Sequence, residues 1–178
     1  ISDDLTRIAS NSISTSETLA SAESIVESAS GAPMTFDQAE AYSLQSLESL
    51  RTLAISNNQL LRPSDASAAL ITTLAVAEGD ILNALAEVLS LIPQQRAQIA
   101  LAEQGIALSS DPEIRIMLLD QTATSVKRFG NLLEPRHIDA IRTIASSAED
   151  DEATSAAALL GALNLPTDQI TPFVFTTR

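Results

Sequence analysis

The stretch DPEIR, residues 111–115, opens a segment that runs to Phe129 and decides the fold class. An Asp just before a helix accepts hydrogen bonds from the free backbone N–H groups of the first turn. A Pro at the first helical position costs no hydrogen bond, because the N–H that it lacks would have no partner there, and a Glu in the first turn complements the helix dipole. Gly130 then ends the segment, since Gly is common just past a helix. These signals predict one long α-helix between residues 111 and 130.

Similar segments lie on both sides of this helix, with apolar residues at positions i, i+3 and i+4. Thr35 and Gln38 have the spacing of a capping box, and Ser64 is a candidate N-cap. The remaining predicted helices cover residues 35–57, 64–79, 80–92, 96–108, 135–148 and 151–163.

The composition also favours helices. Of 178 residues, 45% are hydrophobic but only 3% are aromatic, so Ala, Leu and Ile must form the core. Such residues suit close helix packing better than a β-sandwich. No strand is predicted in the body of the chain, although residues 173–177 after a helical turn from Thr167 could be extended. The predicted fold class is all-α.

Residues 1–32 form a predicted Ser/Ala-rich helical segment, distinct from a repeat array over residues 33–178. Apolar residues recur in it at helical spacing, which indicates two modest helices or one broken helix ending near Gly31 and Pro33. A Ser-rich disordered leader is the alternative. The chain begins with Ile1 rather than Met, so we expect a processed or excised piece.

Helix pairs begin near four acidic residues, which we expect to act as caps, at intervals of about 30 to 43 residues. Periods in this range are typical of helical solenoids. The four residues are Asp37, Asp80, Asp111 and Asp150.

Residues 111–115 resemble the opening of a HEAT repeat, where Asp caps a helix and Arg follows one turn later. Residues 151–163 resemble the Ala-rich packing helix of such repeats. From Asp37 onward, the chain is similar to the HEAT-like domain of large bacterial repeat proteins, although its spacing is unequal and its last unit lacks the Arg. The resemblance implies a right-handed α-solenoid of antiparallel helix pairs, with an inner surface that binds another protein and no catalytic residues. A closed helical bundle also satisfies the pattern.

The charge distribution bears on the partner. The net charge of −13 disfavours binding to nucleic acid or to an anionic membrane surface, and no apolar run is long enough to span a membrane. Half of the ten basic residues lie between residues 115 and 142. We therefore predict a docking site there for an acidic or carboxylate-bearing partner. Its residues are Arg115, Lys127, Arg128, Asn131, Arg136 and Arg142.

The alternative for these basic residues is local ion pairing with Asp120, Glu134 and Asp139 and with acidic neighbouring repeats. Weak self-association through apolar end helices is a further alternative for the partner.

Signals for chemistry are weak. His137 is the only histidine, and no Gly-x-Ser-x-Gly motif accompanies it, so an ordinary place in a first helical turn is expected. The acidic run 149–152 lacks the alternation and central Gly of a calcium loop. There is no Cys, and Gly105 and Gly161 are predicted to allow close helix packing rather than to hold phosphate. We predict no catalytic, cofactor-binding or metal-binding residues.

The sequence thus favours a soluble, non-enzymatic protein-interaction scaffold, with its compartment open between cytoplasm and export. A structural or accessory segment of a larger exported or regulatory protein is the alternative, followed by a helical domain that senses a small molecule or cation.

Overall fold

The computed structural model describes residues 35–56, 63–107, 111–147 and 150–165. Within these ranges all the regular secondary structure is α-helical and there is no strand, which confirms the predicted all-α class. No helix in the described part is both long and apolar enough to cross a membrane. The helices are α1 (Phe36–Ile55), α2 (Pro63–Leu74), α3 (Gly79–Ser90), α4 (Gln95–Ala107), α5 (Pro112–Phe129), α6 (Pro135–Ser147) and α7 (Asp150–Ala162).

The two strongest predicted helix starts are confirmed. The Thr35 hydroxyl accepts from the Gln38 backbone N–H at 3.3 Å, and the Gln38 side chain accepts from the Thr35 N–H at 3.0 Å. The Asp111 carboxylate accepts from the N–H of Ile114 at 3.2 Å. At the other end of α5, Gly130 has φ +82°, a backbone conformation that residues other than glycine rarely adopt.

The predicted acidic caps are wrong at three positions, since Asp150 is the first residue of α7 rather than the residue before it. Asp37 is the second residue of α1, which Thr35 caps, and Asp80 is the second residue of α3. Glu78 precedes α3 but makes no hydrogen bond as a cap. The carboxylates of Asp37 and Asp80 instead lie in the first helical turn, where they favour the positive end of the helix dipole.

Other predicted boundaries shift by a residue or more. Helix α2 begins at Pro63, so Ser64 is not its N-cap, and it ends at Leu74 rather than near residue 79. The predictions for residues 1–32 and for the tail after Pro166 lie outside the described residues.

The helices pack in two alternating sets. Helices α1, α3, α5 and α7 contact one another in that order, and α2, α4 and α6 do the same. The two sets meet where α2 packs on α3, α3 on α4, α4 on α5, and α6 on α7.

Polar contacts fix the direction of the helices. Arg115 bonds Glu152 and Asp120 bonds Ser155, so α5 and α7 run parallel. Gln98 bonds the Leu132 N–H just before α6, and further along α4 Glu103 bonds residues 136 and 137, so α4 and α6 also run parallel. These contacts join residues that are 33 to 37 positions apart. In the α4–α6 and α5–α7 pairs, a helix and the next but one thus repeat with an offset near 35 residues.

Two consecutive clusters of buried side chains form the core. The first includes side chains of α1 to α4 and ends at Leu118 of α5, whereas the second begins at Ala102 of α4 and continues through α7. The clusters meet at the α4–α5 interface, where Gly105 lies so close that a Cβ atom would be 3.3 Å from the Leu118 Cβ. This confirms the predicted close packing at Gly105. The same prediction is wrong for Gly161, which has no described atom near its Cβ position.

Candidate protein-interaction surface

Seven basic residues lie in the described part of the chain, and four of them form ion pairs with carboxylates there. The paired residues are Arg51, Arg115, Arg136 and Arg142. Local pairing, the alternative considered from the sequence, therefore accounts for four of these seven described residues and leaves three.

Arg115 belongs to the interior. It is 8% exposed, and its guanidinium lies 2.9 Å from the Glu152 carboxylate between α5 and α7. Its Nε is buried without a hydrogen-bond partner. The structure thus places this predicted docking residue at a helix–helix interface, out of reach of a surface partner.

Arg136 and Arg142 reach the surface but are engaged by acids. Arg136 contacts Glu103 at 3.2 Å and Glu134 at 2.9 Å, and Arg142 contacts Asp139 at 2.8 Å. Such exposed pairs are weak, yet they lower the positive charge that a partner would meet.

Lys127 and Arg128 lie exposed in the last turn of α5 and have no ion pair with a described residue. The Arg128 guanidinium lies 5.6 Å from the centroid of the Phe129 ring, a cation–π distance. Asn131 is exposed beyond the end of the helix, and its side-chain oxygen Oδ1 accepts a hydrogen bond from the Leu133 N–H at 3.0 Å. Its amide nitrogen remains a donor for a partner.

Arg96 is a third cation of this kind, and it was not among the docking residues predicted from the sequence. It is the second residue of α4 and is exposed, without an ion pair to the described residues. Two positions later, Gln98 bonds the Gly130 carbonyl, so the start of α4 lies beside the end of α5. We call the surface formed by Arg96, Lys127, Arg128 and Asn131 the basic edge. The predicted succession of two antiparallel helices, α4 and α5, could have indicated that Arg96 lies near Lys127, because such a hairpin brings together residues about 31 positions apart.

Gln98 fixes the geometry of this edge. The side chain is fully buried, and its amide donates to the Ser125 hydroxyl and the Gly130 carbonyl, both at 3.2 Å. Its carbonyl oxygen accepts from the Leu132 N–H at 2.8 Å. One glutamine thus anchors the corner between α5 and α6 to α4, and no sequence motif indicated this role.

We expect Gln98→Leu to lower the free energy of unfolding by roughly 2 kcal/mol, because the Leu132 N–H and the Gly130 carbonyl both lose their partner. Urea denaturation followed by circular dichroism measures the change. Gln95→Leu, at the exposed first residue of the same helix, is the control and should shift stability by less than about 0.5 kcal/mol. Equal effects of the two variants would contradict an anchoring role for Gln98.

His137 lies in the first turn of α6, as predicted, but it is buried. Its Nδ1 accepts from the Glu134 N–H at 3.2 Å, so in the neutral ring Nε2 carries the proton and donates to Glu103, also at 3.2 Å. The ring thus caps α6 and joins it to α4.

No group of three potential ligands among the described residues is arranged to hold a metal ion. In the acidic run 149–152, the Glu152 carboxylate is engaged by Arg115.

No protein-family profile, curated protein or solved structure matches this chain. What the chain does is therefore inferred from its own surface.

Proposed function

We propose that this chain is a non-catalytic protein-interaction scaffold, and that its basic edge docks an acidic segment of another protein. One observation carries the proposal: Arg96, Lys127 and Arg128 are exposed and unpaired with described residues, although the chain has 23 acidic residues and a net charge of −13. Nearby acids engage the other described cations, whereas no carboxylate in the described ranges neutralises these three.

A HEAT-like α-solenoid is the proposed arrangement. It is supported by packing that reaches only to the next helix or the next but one, and by side-chain contacts at an offset of 33 to 37 residues. The two consecutive core clusters favour the same arrangement. A closed bundle would require α1 to pack against α7, and no packing of comparable extent joins them in the described part.

The chemistry of the basic edge suits carboxylates. Lys and Arg side chains are hydrogen-bond donors only, and the free group of Asn131 is an amide donor as well. Charge-assisted hydrogen bonds from such donors to carboxylates are about twice as strong as neutral ones. A partner that presents several carboxylates also reduces the repulsion among the three neighbouring cations and is steered toward the edge during association.

We expect the variant Arg96→Gln/Lys127→Gln/Arg128→Gln to lose capture of its partner by at least about tenfold, since each desolvated charge contact contributes on the order of 1 kcal/mol. The measurement is a pull-down from lysate of the source organism with the chain as bait, at about 0.15 M and about 0.5 M salt. Captured protein should decrease as salt screens the charges.

The matched control is Gln45→Glu/Ser49→Glu/Thr52→Glu on the exposed face of α1, which lowers the net charge by the same three units. It should capture the partner nearly as well as the wild type, because it leaves the basic edge intact. Capture that survives the loss of all three cations would exclude the basic edge. Absence of any reproducible partner at either salt would favour the alternative, a structural segment of a larger protein.

A further inference from the structure

The opposite ends of the same helices form an acidic surface. Helix α3 packs on α4 across a short connection, so these two helices are antiparallel. Helix α4 is antiparallel to α5 as well, because Gln98 lies beside Gly130 and Gly105 beside Leu118. Helices α3, α5 and α7 therefore point the same way, and α1 packs on α3 with Arg51 and Glu87 paired near the C-terminal ends of both helices. The N-termini of these four helices thus share one side of the stack.

Five exposed carboxylates without an ion pair to a described residue lie in or just before these first turns. We call this surface the acidic edge: Asp37, Glu78, Asp80, Glu113 and Asp151.

The two edges lie at opposite ends of the helices. Lys127 and Arg128 lie in the last turn of α5, whereas Glu113 lies in its first turn. The two ends of this 18-residue helix are about 27 Å apart. Among the described residues, the charges at the helix ends without an ion pair are thus positive on one side of the stack and negative on the other, whereas the carboxylates near the basic edge, such as Glu134, are paired with arginines.

We propose that the acidic edge of a second copy docks on the basic edge, so that copies associate head to tail along the helix axes. This inference rests on the basic edge being a docking surface, as proposed above, and it names one occupant for that surface. The two edges are complementary in charge: five carboxylates without an ion pair to a described residue would face three such cations and the Asn131 amide. Such a contact uses two different surfaces, so it leaves a free edge at each end and can add further copies.

The net charge of −13 opposes association, and the salt concentration decides the balance. At about 0.15 M salt the Debye length is about 8 Å, shorter than the helices, so distant charges are screened while facing edges still attract. At about 1 M salt the Debye length is about 3 Å, and the attraction between the edges weakens as well. Association through apolar end helices would instead persist at high salt.

Sedimentation velocity of the full chain, over a wide range of concentration, tests the inference. We expect the weight-average sedimentation coefficient to rise with concentration at about 0.15 M salt, and the association constant to fall at least about tenfold at about 1 M. A chain that stays monomeric at both salts would overturn the inference, and so would association that is unchanged at high salt.

Charge-reversed variants identify the surfaces. The first is Arg96→Glu/Lys127→Glu/Arg128→Glu, and the second is Asp37→Lys/Asp80→Lys/Glu113→Lys. Each should be monomeric alone, because its two edges then carry the same sign, and their equimolar mixture should associate. If circular dichroism shows that the second variant is unfolded, Asp37→Asn/Asp80→Asn/Glu113→Gln replaces it, and should lose wild-type association at least about tenfold.

A mixture of folded charge-reversed variants that remains monomeric, while the wild type associates, would overturn the head-to-tail contact. The pull-down with Arg96→Gln/Lys127→Gln/Arg128→Gln distinguishes the two proposals. If the chain captures a different protein through the basic edge but never associates with itself, only the identity of the occupant is wrong. If neither self-association nor capture of another protein depends on these three cations, the basic edge itself is not a docking surface.

Discussion

Gly105→Leu is expected to lower the free energy of unfolding by about 3 kcal/mol, the upper part of the range for overpacked cores. Gly105 lies at the α4–α5 interface, where even a Cβ atom would be 3.3 Å from the Leu118 Cβ and 3.7 Å from the Leu119 side chain. Both leucines are completely buried. A leucine side chain therefore fits only if α4 and α5 move apart, which would disturb both core clusters.

Gly105→Ala sets two effects against each other. Alanine favours the helix by up to about 1 kcal/mol relative to glycine, but its methyl group must enter a contact that is tighter than normal. The opposing atom is the Cβ of Leu118, which is bonded directly to the backbone of a packed helix and cannot turn aside. We therefore expect a net loss of about 1 kcal/mol.

Gly161→Ala is the matched control, since Gly161 lies in the last turn of α7 and no described atom is within 4 Å of its Cβ position. There the helix preference acts alone, and stability should rise by about 0.5 kcal/mol. Urea denaturation of the three variants gives the comparison. Equal stabilisation by alanine at both glycines would show that α4 and α5 are not in close contact at Gly105.

This pair of glycines shows what the sequence can predict. Both are single glycines inside Ala/Leu-rich helices, and the sequence suggested the same packing role for both. Only the position of the neighbouring helix distinguishes them. By contrast, the start and end of α5 were predictable, because Asp111, Pro112 and Gly130 act on backbone groups within a few residues of themselves.

The same limit explains the predictions for charged residues. Arg115 and Arg96 are both arginines near a helix start, yet Arg115 is buried against Glu152 and Arg96 is exposed. Burial depends on helices that lie 30 or more residues away in sequence. The role of Gln98 was unpredictable for the same reason, because its partners lie between residues 125 and 132.

Glu152→Ala is expected to lower the free energy of unfolding by about 3 kcal/mol, because it leaves the Arg115 charge buried without a partner. The two side chains are only 10% and 13% exposed, and their atoms approach to 2.9 Å between α5 and α7. Among the described residues Glu152 is the partner of the Arg115 guanidinium, and the Arg115 Nε has no hydrogen bond, so no second partner would compensate for the loss. Urea denaturation measures the loss, and Glu48→Gln at the exposed Arg51–Glu48 pair should change stability by less than about 0.5 kcal/mol.

A double variant separates the value of the ion pair from the cost of an unpaired charge. Arg115→Met/Glu152→Leu fills a similar volume with apolar side chains, and buried ion pairs are often replaced in this way at little cost. We expect its stability to lie within about 1 kcal/mol of the wild type and therefore well above that of Glu152→Ala. In that case the pair sets which faces of α5 and α7 meet rather than adding much stability. A double variant as unstable as Glu152→Ala would instead show that the ion pair itself holds the two helices together.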